Sequence, residues 1–392
     1  MLFPNLSKAQ VSVPKFGKGL QIMAQDSSFY MRIGFRFQTL FSSGWSIEEE
    51  QNNLFVENNE AAASIRRSRL KFDGWTLTPK LKYKVELSLS NRDNGGGNSS
   101  RFSNAANIIL DASIKYNFYK TLSVWVGQGK YPGNRERIVS SGNLQFVDRS
   151  RLNARFTIDR DVGIMLKNKT YLSDEFLLRQ TIAIGTGEGK NITSGNIGGH
   201  AYTAKLEALP FGEFASNGDY SGSDIIRESK PKLAVAVAYD VNYNAGRTRG
   251  QTGSFIPDGN DNPFGKNLKS FFADLMFKYN GLSVMAEYAN RSTEDGNPFV
   301  VTDTGETIAT YYTGSALNVS VGKMLTETFE IAARFTDVKP DEGVESPENQ
   351  YTIGASKYIV GHKLKVQTDF TFRDIEVGAD DVSFRLQIDI HF

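Results

Sequence analysis

Hydrophobic and polar residues alternate along most of the chain, in segments of about ten residues. In 81–89, leucine, tyrosine and valine occupy the odd positions, while lysine, glutamate and serine fill the even ones. The same alternation runs over 31–38, 108–118 and 364–373, and it is cleanest in the last residues, 382–392. Strict alternation predicts β-strands with one apolar and one polar face. About sixteen such segments can be counted, which predicts an all-β chain.

The connections between these segments alternate between short and long. Short ones fall near 75–79, 119–121, 172–174, 280–281, 325–326 and 361–362. Long ones span 42–61, 91–106, 131–160, 186–199, 244–267 and 292–307. This asymmetry is typical of a transmembrane antiparallel β-barrel with short periplasmic turns and long extracellular loops. The connection near 211–231 departs from it, because it is long where a short turn is due.

Composition narrows the class further. The 392 residues carry a formal net charge of +1, so any electrostatic selectivity must come from local patterning. Cysteine is absent, and only 40% of the residues are hydrophobic. No stretch approaches the ~18 apolar residues of a transmembrane helix. These features fit a barrel with a wet interior better than a soluble sandwich.

The N-terminus reads as a processed segment. Ser7, Lys8 and Ala9 precede Gln10 in a pattern similar to a signal-peptidase site. We predict a signal-peptide remnant at 1–9 within an N-terminal periplasmic segment, 1–27, followed by the barrel, 28–392. An ordinary flexible N-terminus is the alternative.

Several ordered blocks resemble the phosphate-selective porin O/P family, in its Bacteroidota branch. The blocks are 65–87 (IRRSRLKFDGWTLTPKLKYKVEL), 127–164 (GQGKYPGNRERIVSSGNLQFVDRSRLNARFTIDRDVGI) and the stretch from LPFG at 209 to the apolar run AVAVAYDVN. The resemblance implies a sixteen-stranded outer-membrane porin, often trimeric. It also implies that the third loop, about 131–160, folds into the lumen as a basic constriction. The terminal Phe392 resembles the aromatic residue that serves as a membrane-insertion signal in such barrels.

Basic residues cluster on two predicted strands that follow one another. Side chains that project to one face of each strand form the candidate anion-attracting ladder: Arg67, Arg69, Lys71, Lys80, Lys82 and Lys84. Like charges this close are unfavourable on a dry sheet, whereas in a water-filled lumen they raise the local anion concentration. The alternative is a mixed-charge lumen, since acidic and basic neighbours share the face: Asp73, Glu86, Asp111 and Lys115.

The third long connection holds a second charged cluster. Its candidate constriction residues are Arg135, Glu136, Arg137, Asp148, Arg149 and Arg151. The planar fork of arginine suits phosphate or carboxylate contacts, and several weak sites allow passage without trapping. The alternative is a network of salt bridges that folds the loop against the barrel wall.

No motif nominates catalysis or metal binding. His200, His362 and His391 are the only histidines, and no pair has metal-ligand spacing. The acidic loop beginning at Asp258 is better read as a turn-rich loop than as a calcium site. We therefore predict neither enzyme activity nor a cofactor.

The function predicted from these patterns is passive diffusion of small hydrophilic solutes through an outer-membrane porin, with anions such as phosphate favoured. Expected partners are outer-membrane lipid, small anions and two further copies of the chain, without nucleic acid. One alternative is an occluded structural or accessory barrel within a larger outer-membrane assembly. A barrel enzyme of the protease or lipase kind is a further alternative, for which no cluster of Asp, His or Ser was found.

Overall fold

A computed structural model describes residues 10–12, 15–50, 53–90, 107–192, 199–257 and 264–392. The proposed signal-peptide remnant and the loop beginning at Asp258 fall outside these ranges. Twenty strands are described: β1 Gln10–Ser12, β2 Leu20–Met23, β3 Phe29–Glu50, β4 Asn53–Thr76, β5 Thr78–Ser88, β6 Ile109–Tyr119, β7 Leu122–Lys130, β8 Arg160–Tyr171, β9 Leu177–Gly185, β10 Ala201–Leu209, β11 Lys232–Ala245, β12 Lys266–Tyr279, β13 Leu282–Thr293, β14 Phe299–Val301, β15 Thr307–Thr310, β16 Gly314–Met324, β17 Phe329–Pro340, β18 Glu348–Tyr358, β19 Leu364–Ile375 and β20 Asp380–His391.

Sixteen of these strands form one closed antiparallel barrel, as predicted. Each pairs with the next along the chain from β3 to β13 and from β16 to β20. β13 pairs with β16, because β14 and β15 form a separate two-stranded sheet. The circle closes where β20 pairs with β3. Closure removes the free edges that would otherwise promote aggregation.

The register of the closing strands differs from the sequence expectation. In a closed barrel the last segment is expected to pair with the first, around 30–38, but β20 pairs with Arg36 to Ile47 and overlaps that range only at its end. The beginning of β3, from Tyr30 to Ile33, pairs instead with β2. We call the residues before β3 the N-terminal arm. This arm pairs with the beginning of β3, which β20 does not reach.

The two faces of the barrel follow the alternation in the sequence. On β11 the outward Val237 is 48% exposed, whereas the inward Ala236 and Ala238 are only 6% and 3% exposed. On β10 the outward Tyr202 and Leu206 are exposed, and the inward side chains between them are polar and buried. An apolar exterior around a polar interior is the arrangement that a lipid bilayer requires of a barrel.

Most short connections lie at one end of the barrel and most long loops at the other. The long connection between β10 and β11 is an exception at the first end. At the second end the predicted long connection 42–61 is wrong, because β3 extends to Glu50 and β4 begins at Asn53, and only 376–379 separate β19 from β20. The turn at Asn280 and Gly281 shows why two residues suffice. Both have positive φ (46° and 80°), as in the type I′ turn that matches the twist of paired strands. We call this the turn end, and the opposite side the loop end.

The third long loop contains two short helices, α1 Arg135–Ile138 and α2 Arg151–Phe156, and a 3₁₀ turn, Ser141–Asn143. α2 packs against β13, β16 and β17. Its Phe156 is completely buried and meets the ring of Tyr312 edge to face, with centroids 5.3 Å apart. Another 3₁₀ segment, Ala215–Tyr220, lies in the long connection between β10 and β11. No helix in the described ranges is long and apolar enough to cross a membrane.

Candidate functional site

The third loop, residues 131–159, crosses the interior of the barrel. Its side chains form ion pairs with strands on different sides of the wall: Arg135 with Asp274 of β12 at 2.6 Å, and Arg151 with Glu348 of β18 at 2.7 Å. Asp148 pairs with Arg66 of β4 at 2.8 Å. A loop that reaches three separate parts of the wall narrows the passage between them.

Arg135 holds the beginning of this loop. Its guanidinium is completely buried and lies within 3.2 Å of Glu207, 3.8 Å of Asp219 and 2.6 Å of Asp274. The Tyr220 ring covers it, 5.2 Å from ring centroid to guanidinium carbon. Burial alone would lower the pKa of Arg135, but the surrounding carboxylates raise it above its usual value. Because these groups fully occupy it, Arg135 acts as a structural latch.

Glu136 ties the two helices of the loop together. Its carboxylate accepts hydrogen bonds from the backbone N–H of Ser150 at 3.1 Å and from the Ser150 hydroxyl at 2.6 Å. The Ser150 hydroxyl in turn caps α2 by accepting from the Asn153 N–H at 3.2 Å. The Glu136 N–H donates to Glu287 of β13 at 2.6 Å. These bonds fix the loop's shape and its attachment to the wall.

A large basic cavity lies between the third loop, β4 and the loop that follows β11. Its volume is about 810 Å³. Among the described residues that line it, twelve are basic and two, Asp148 and Asp159, are acidic. The basic residues are Arg66, Arg67, Arg69, Lys130, Arg137, Arg149, Arg151, Arg160, Lys190, Arg247, Arg249 and Arg385. We call this space the basic cavity.

Four of these cations donate hydrogen bonds to backbone carbonyl oxygens. Lys130 donates to the carbonyl of Arg137 at 2.7 Å, and Arg149 to that of Val139 at 2.8 Å. Arg247 donates to Gly253 at 2.7 Å, and Arg249 to Ala154 at 2.5 Å. Within the part of the chain that the structure describes, none of the four lies within 4 Å of a carboxylate oxygen. Their positive charges therefore remain available to a solute in the cavity.

The loop arginines stay protonated at neutral pH although they are crowded. Burial and the neighbouring Arg137 lower the pKa of Arg149 to about 9. Burial and Arg249 lower the pKa of Arg247 to about 10. The lowered pKa values show that the positive charges in the cavity repel one another.

Asp148 is one of the two acidic residues in the lining of the basic cavity. Burial would raise the pKa of its carboxyl, but Arg66 and Arg67 hold it well below its usual value. Its oxygens lie 2.8 Å from Arg66, 3.6 Å from Arg67 and 4.0 Å from Arg385. Asp148 stays ionised and holds three arginines in place.

The predicted ladder divides into two parts. Arg67 and Arg69 line the basic cavity, and Arg69 pairs with Glu86 at 3.0 Å. Nearer the turn end, Lys71 pairs with Asp73 at 3.1 Å and Lys84 with Glu86 at 2.9 Å. Lys80 and Lys82 are exposed at the turn end and line none of the cavities described here. Near the turn end, basic and acidic side chains are therefore paired on this wall, as the alternative of a mixed-charge lumen predicts.

The predicted constriction residues also divide. Arg137, Asp148, Arg149 and Arg151 line the basic cavity. The other two, Arg135 and Glu136, are buried in the contacts that dock the loop.

Sequence reasoning missed seven of the basic residues that line the cavity: Arg66, Lys130, Arg160, Lys190, Arg247, Arg249 and Arg385. Arg66 was missed because strict alternation places it on the outer face. The register shifts between Gln38 and Thr39, whose partners are Arg67 and Ile65, so Arg66 is the extra residue of a β-bulge. The RTR triplet containing Arg247 and Arg249 was the one usable signal for the loop after β11.

Phe392 lies at the turn end of the barrel. Its N–H donates to the carbonyl of Phe35 at 2.9 Å, and its ring lies 6.2 Å from that of Phe35 and 6.1 Å from that of Phe16. The ring is half exposed. A role as an insertion signal stays a prediction.

Several solved structures share this fold. OmpF of Salmonella typhi in complex with daunomycin aligns with a TM-score of 0.54 and 14% identity, covering 93% of this chain and 98% of that one. OprB of Pseudomonas putida at high pH aligns with 0.52 and 11%, covering 92% and 94%. The trimer form of in-vitro folded OmpT of Vibrio cholerae aligns with 0.51 and 10%, covering 92% and 99%.

Comparison with curated protein sequences found no match. The profile of a protein family does match, over residues 47–376, and its description is phosphate-selective porin O and P. The matched region includes the third loop and the lining of the basic cavity except Arg385. With its closed sixteen-stranded barrel, the chain therefore belongs to the phosphate-selective porin O and P family, and it is an outer-membrane porin.

Proposed function

We propose that this porin favours anions, with phosphate among them. The observation that carries the proposal is the basic cavity, in which twelve basic side chains stand against two acidic ones. Such an excess, held between walls of low dielectric constant, concentrates anions and repels cations.

The proposed mechanism is attraction followed by transfer between weak sites. An anion enters from the loop end and meets the arginines that follow β11, Arg247 and Arg249, which share the cavity with Arg149 of the third loop. Arginine forks suit the oxygens of phosphate, and several neighbouring forks allow a bound anion to move on in steps. Lys130 lies on the side of the cavity that faces the turn end, and it passes the anion in that direction.

In this proposal, the third loop sets the upper limit on the size of solutes that can pass. The Arg135 latch and the Arg151–Glu348 pair hold the loop across the lumen. The third loop leaves the lumen open along β18, β20 and β3 to β10, whose residues line the basic cavity and the two smaller cavities nearer the turn end. Small hydrated anions fit there, and larger solutes are excluded.

The preference for anions can be tested by measuring how fast proteoliposomes swell. Vesicles containing the porin are diluted into isotonic solutions of an anionic, a neutral and a cationic solute of similar size. We expect the anionic solute to enter roughly tenfold faster than the cationic one, because the cavity concentrates anions. Equal rates would contradict anion preference, and absence of swelling in any solute would favour the occluded accessory barrel.

A trimer is the proposed assembly. The solved OmpT structure of comparable fold is described as a trimer form. Native mass spectrometry of the detergent-extracted protein should give three times the chain mass. A monomer in several mild detergents would contradict this proposal.

The N-terminal arm is proposed to lie in the periplasm. β2 pairs with β3 at the turn end, beside Phe392. This position agrees with a periplasmic segment that ends where the barrel begins, near residue 28.

A further inference from the structure

The long connection between β10 and β11, residues 210–231, folds into the barrel from the turn end. The carbonyl of Ser223 accepts a hydrogen bond from Lys278 of β12 at 2.6 Å, and the Ser223 hydroxyl donates to Glu330 of β17 at 2.6 Å. The Ser221 hydroxyl lies 2.8 Å from His362, in the turn after β18. We call this connection the strut, because it fills the lower lumen on the side of β12 to β18.

The strut also contacts the third loop, on the side of the loop that faces the turn end. The N–H of Gly222 donates to the carbonyl of Asn143 at 2.8 Å. Asp219 is completely buried and pairs with Arg135 of the loop at 3.8 Å and with Arg179 of β9. The strut and the loop therefore form one internal body, attached to the wall on several sides.

Two further cavities lie between the basic cavity and the turn end of the barrel. The first has a volume of about 320 Å³ and is lined in part by Lys115, Lys167 and Arg179 of the wall and by Asn217 and Tyr220 of the strut. It shares Lys130 with the basic cavity. We call it the strut-side cavity.

The other lower cavity lies against the N-terminal arm. It too has a volume of about 320 Å³, and it is lined in part by Lys18 of the arm, Arg32 and Lys71 of the wall, Lys363 and Phe392. It shares Arg69 with the basic cavity. We call it the arm-side cavity.

A short part of the third loop separates these two cavities. Ile138 faces the strut-side cavity, whereas Ser140 and Asn143 face the arm-side cavity. One side of this divider is held by Lys130, which donates to the carbonyls of residues 137–139. The other side is held by Arg36, which donates to the Ser141 hydroxyl at 2.6 Å and to its carbonyl at 3.1 Å.

We propose that the permeation path forks below the basic cavity. One branch leaves through the strut-side cavity and the other through the arm-side cavity, while the strut closes the rest of the lower lumen. The strut residues Asn217 and Tyr220 then limit solute size in one branch, and the N-terminal arm does so in the other. The proposal rests on the channel function of the family and not on anion preference.

Covalent narrowing of each branch tests the fork. The chain has no cysteine, so a single introduced thiol is the only target. Asn217→Cys, Lys18→Cys and the double variant are each inserted into planar bilayers and treated on both sides with an anionic methanethiosulfonate. We expect conductance in potassium chloride to fall to roughly half in each single variant, because two parallel branches share the current. The double variant should fall well below either single variant.

Ile226→Cys is the matched control, because this strut residue is 55% exposed and lines none of the three cavities. Its modification should leave conductance unchanged. Each channel is compared with itself before and after treatment, and labelling is verified by mass spectrometry. Complete block by modifying position 217 or 18 alone would mean a single exit and overturn the fork. Complete labelling of Asn217→Cys without any fall in conductance would overturn the role of the strut.

Discussion

Replacing Arg149, Arg247 and Arg249 together by glutamine is expected to lower the anion-to-cation permeability ratio by about one order of magnitude. These arginines donate to backbone carbonyls in the described structure, so their charge is not offset by a nearby carboxylate. Glutamine keeps a hydrogen-bond donor but removes the charge. The basic cavity would then lose three of its twelve positive side chains.

The permeability ratio is obtained from zero-current potentials in planar bilayers, with wild type and variant in the same salt gradient. The matched control removes the same number of positive charges elsewhere: Lys120→Gln, Lys323→Gln and Lys339→Gln, which are exposed and line none of the three cavities. The control should keep the wild-type ratio. An unchanged ratio in the arginine variant, with a correctly folded barrel, would show that the basic cavity does not set selectivity.

Arg135→Met is expected to release the third loop from the barrel wall. The substitution leaves Glu207, Asp219 and Asp274 without their shared cation in a buried site. Breaking a buried ion pair by removing one partner costs about 3–5 kcal/mol. The sixteen strands remain paired, so the cost falls on the docking of the loop. We expect noisier single-channel currents and faster proteolysis between residues 136 and 155.

Arg373→Met provides the comparison for this prediction. Arg373 also bridges two carboxylates, those of Glu348 and Asp381, but its side chain is 25% exposed. Pairs that water reaches contribute less than buried ones, about 0–1 kcal/mol when fully exposed, and Glu348 keeps Arg151 of the loop, so this variant should nearly keep the wild-type proteolysis rate. Adding Glu207→Gln to Arg135→Met should restore part of the docking, because Asp219 keeps Arg179 and Asp274 keeps Lys205, whereas Glu207 loses the cation that it pairs with. Equal protease resistance in Arg135→Met and wild type would contradict the latch.

The sequence was sufficient to predict the barrel, because lipid outside and water inside impose a period of two on every strand. The strand count and the inward position of Arg67 and Arg69 follow from that period, whereas the asymmetry of turns and loops follows from the lengths of the connections. Register does not follow from it. β2 and β20 both alternate apolar with polar residues, so either could pair with any part of β3. Only the structure shows that β2 pairs with the beginning of β3 and β20 with the rest.

The lining of the basic cavity was harder to predict for two physical reasons. A bulge reverses the alternation at one residue, which brings Arg66 to the inner face. Loops have no period, so nothing in the sequence marks which of their arginines return to the lumen. Arg135 and Arg149 look alike in sequence, yet one meets carboxylates from residues more than 70 positions away, and the other donates to nearby carbonyls.

If the basic cavity makes the pore favour anions, the zero-current potential of the wild-type porin will show this most directly. Across a tenfold gradient of potassium chloride, an ideally selective pore gives about 59 mV. We predict a potential with the sign of chloride flow and more than half of that limit. A potential near zero, or one with the sign of potassium flow, would mean that the basic cavity does not make the pore anion-selective.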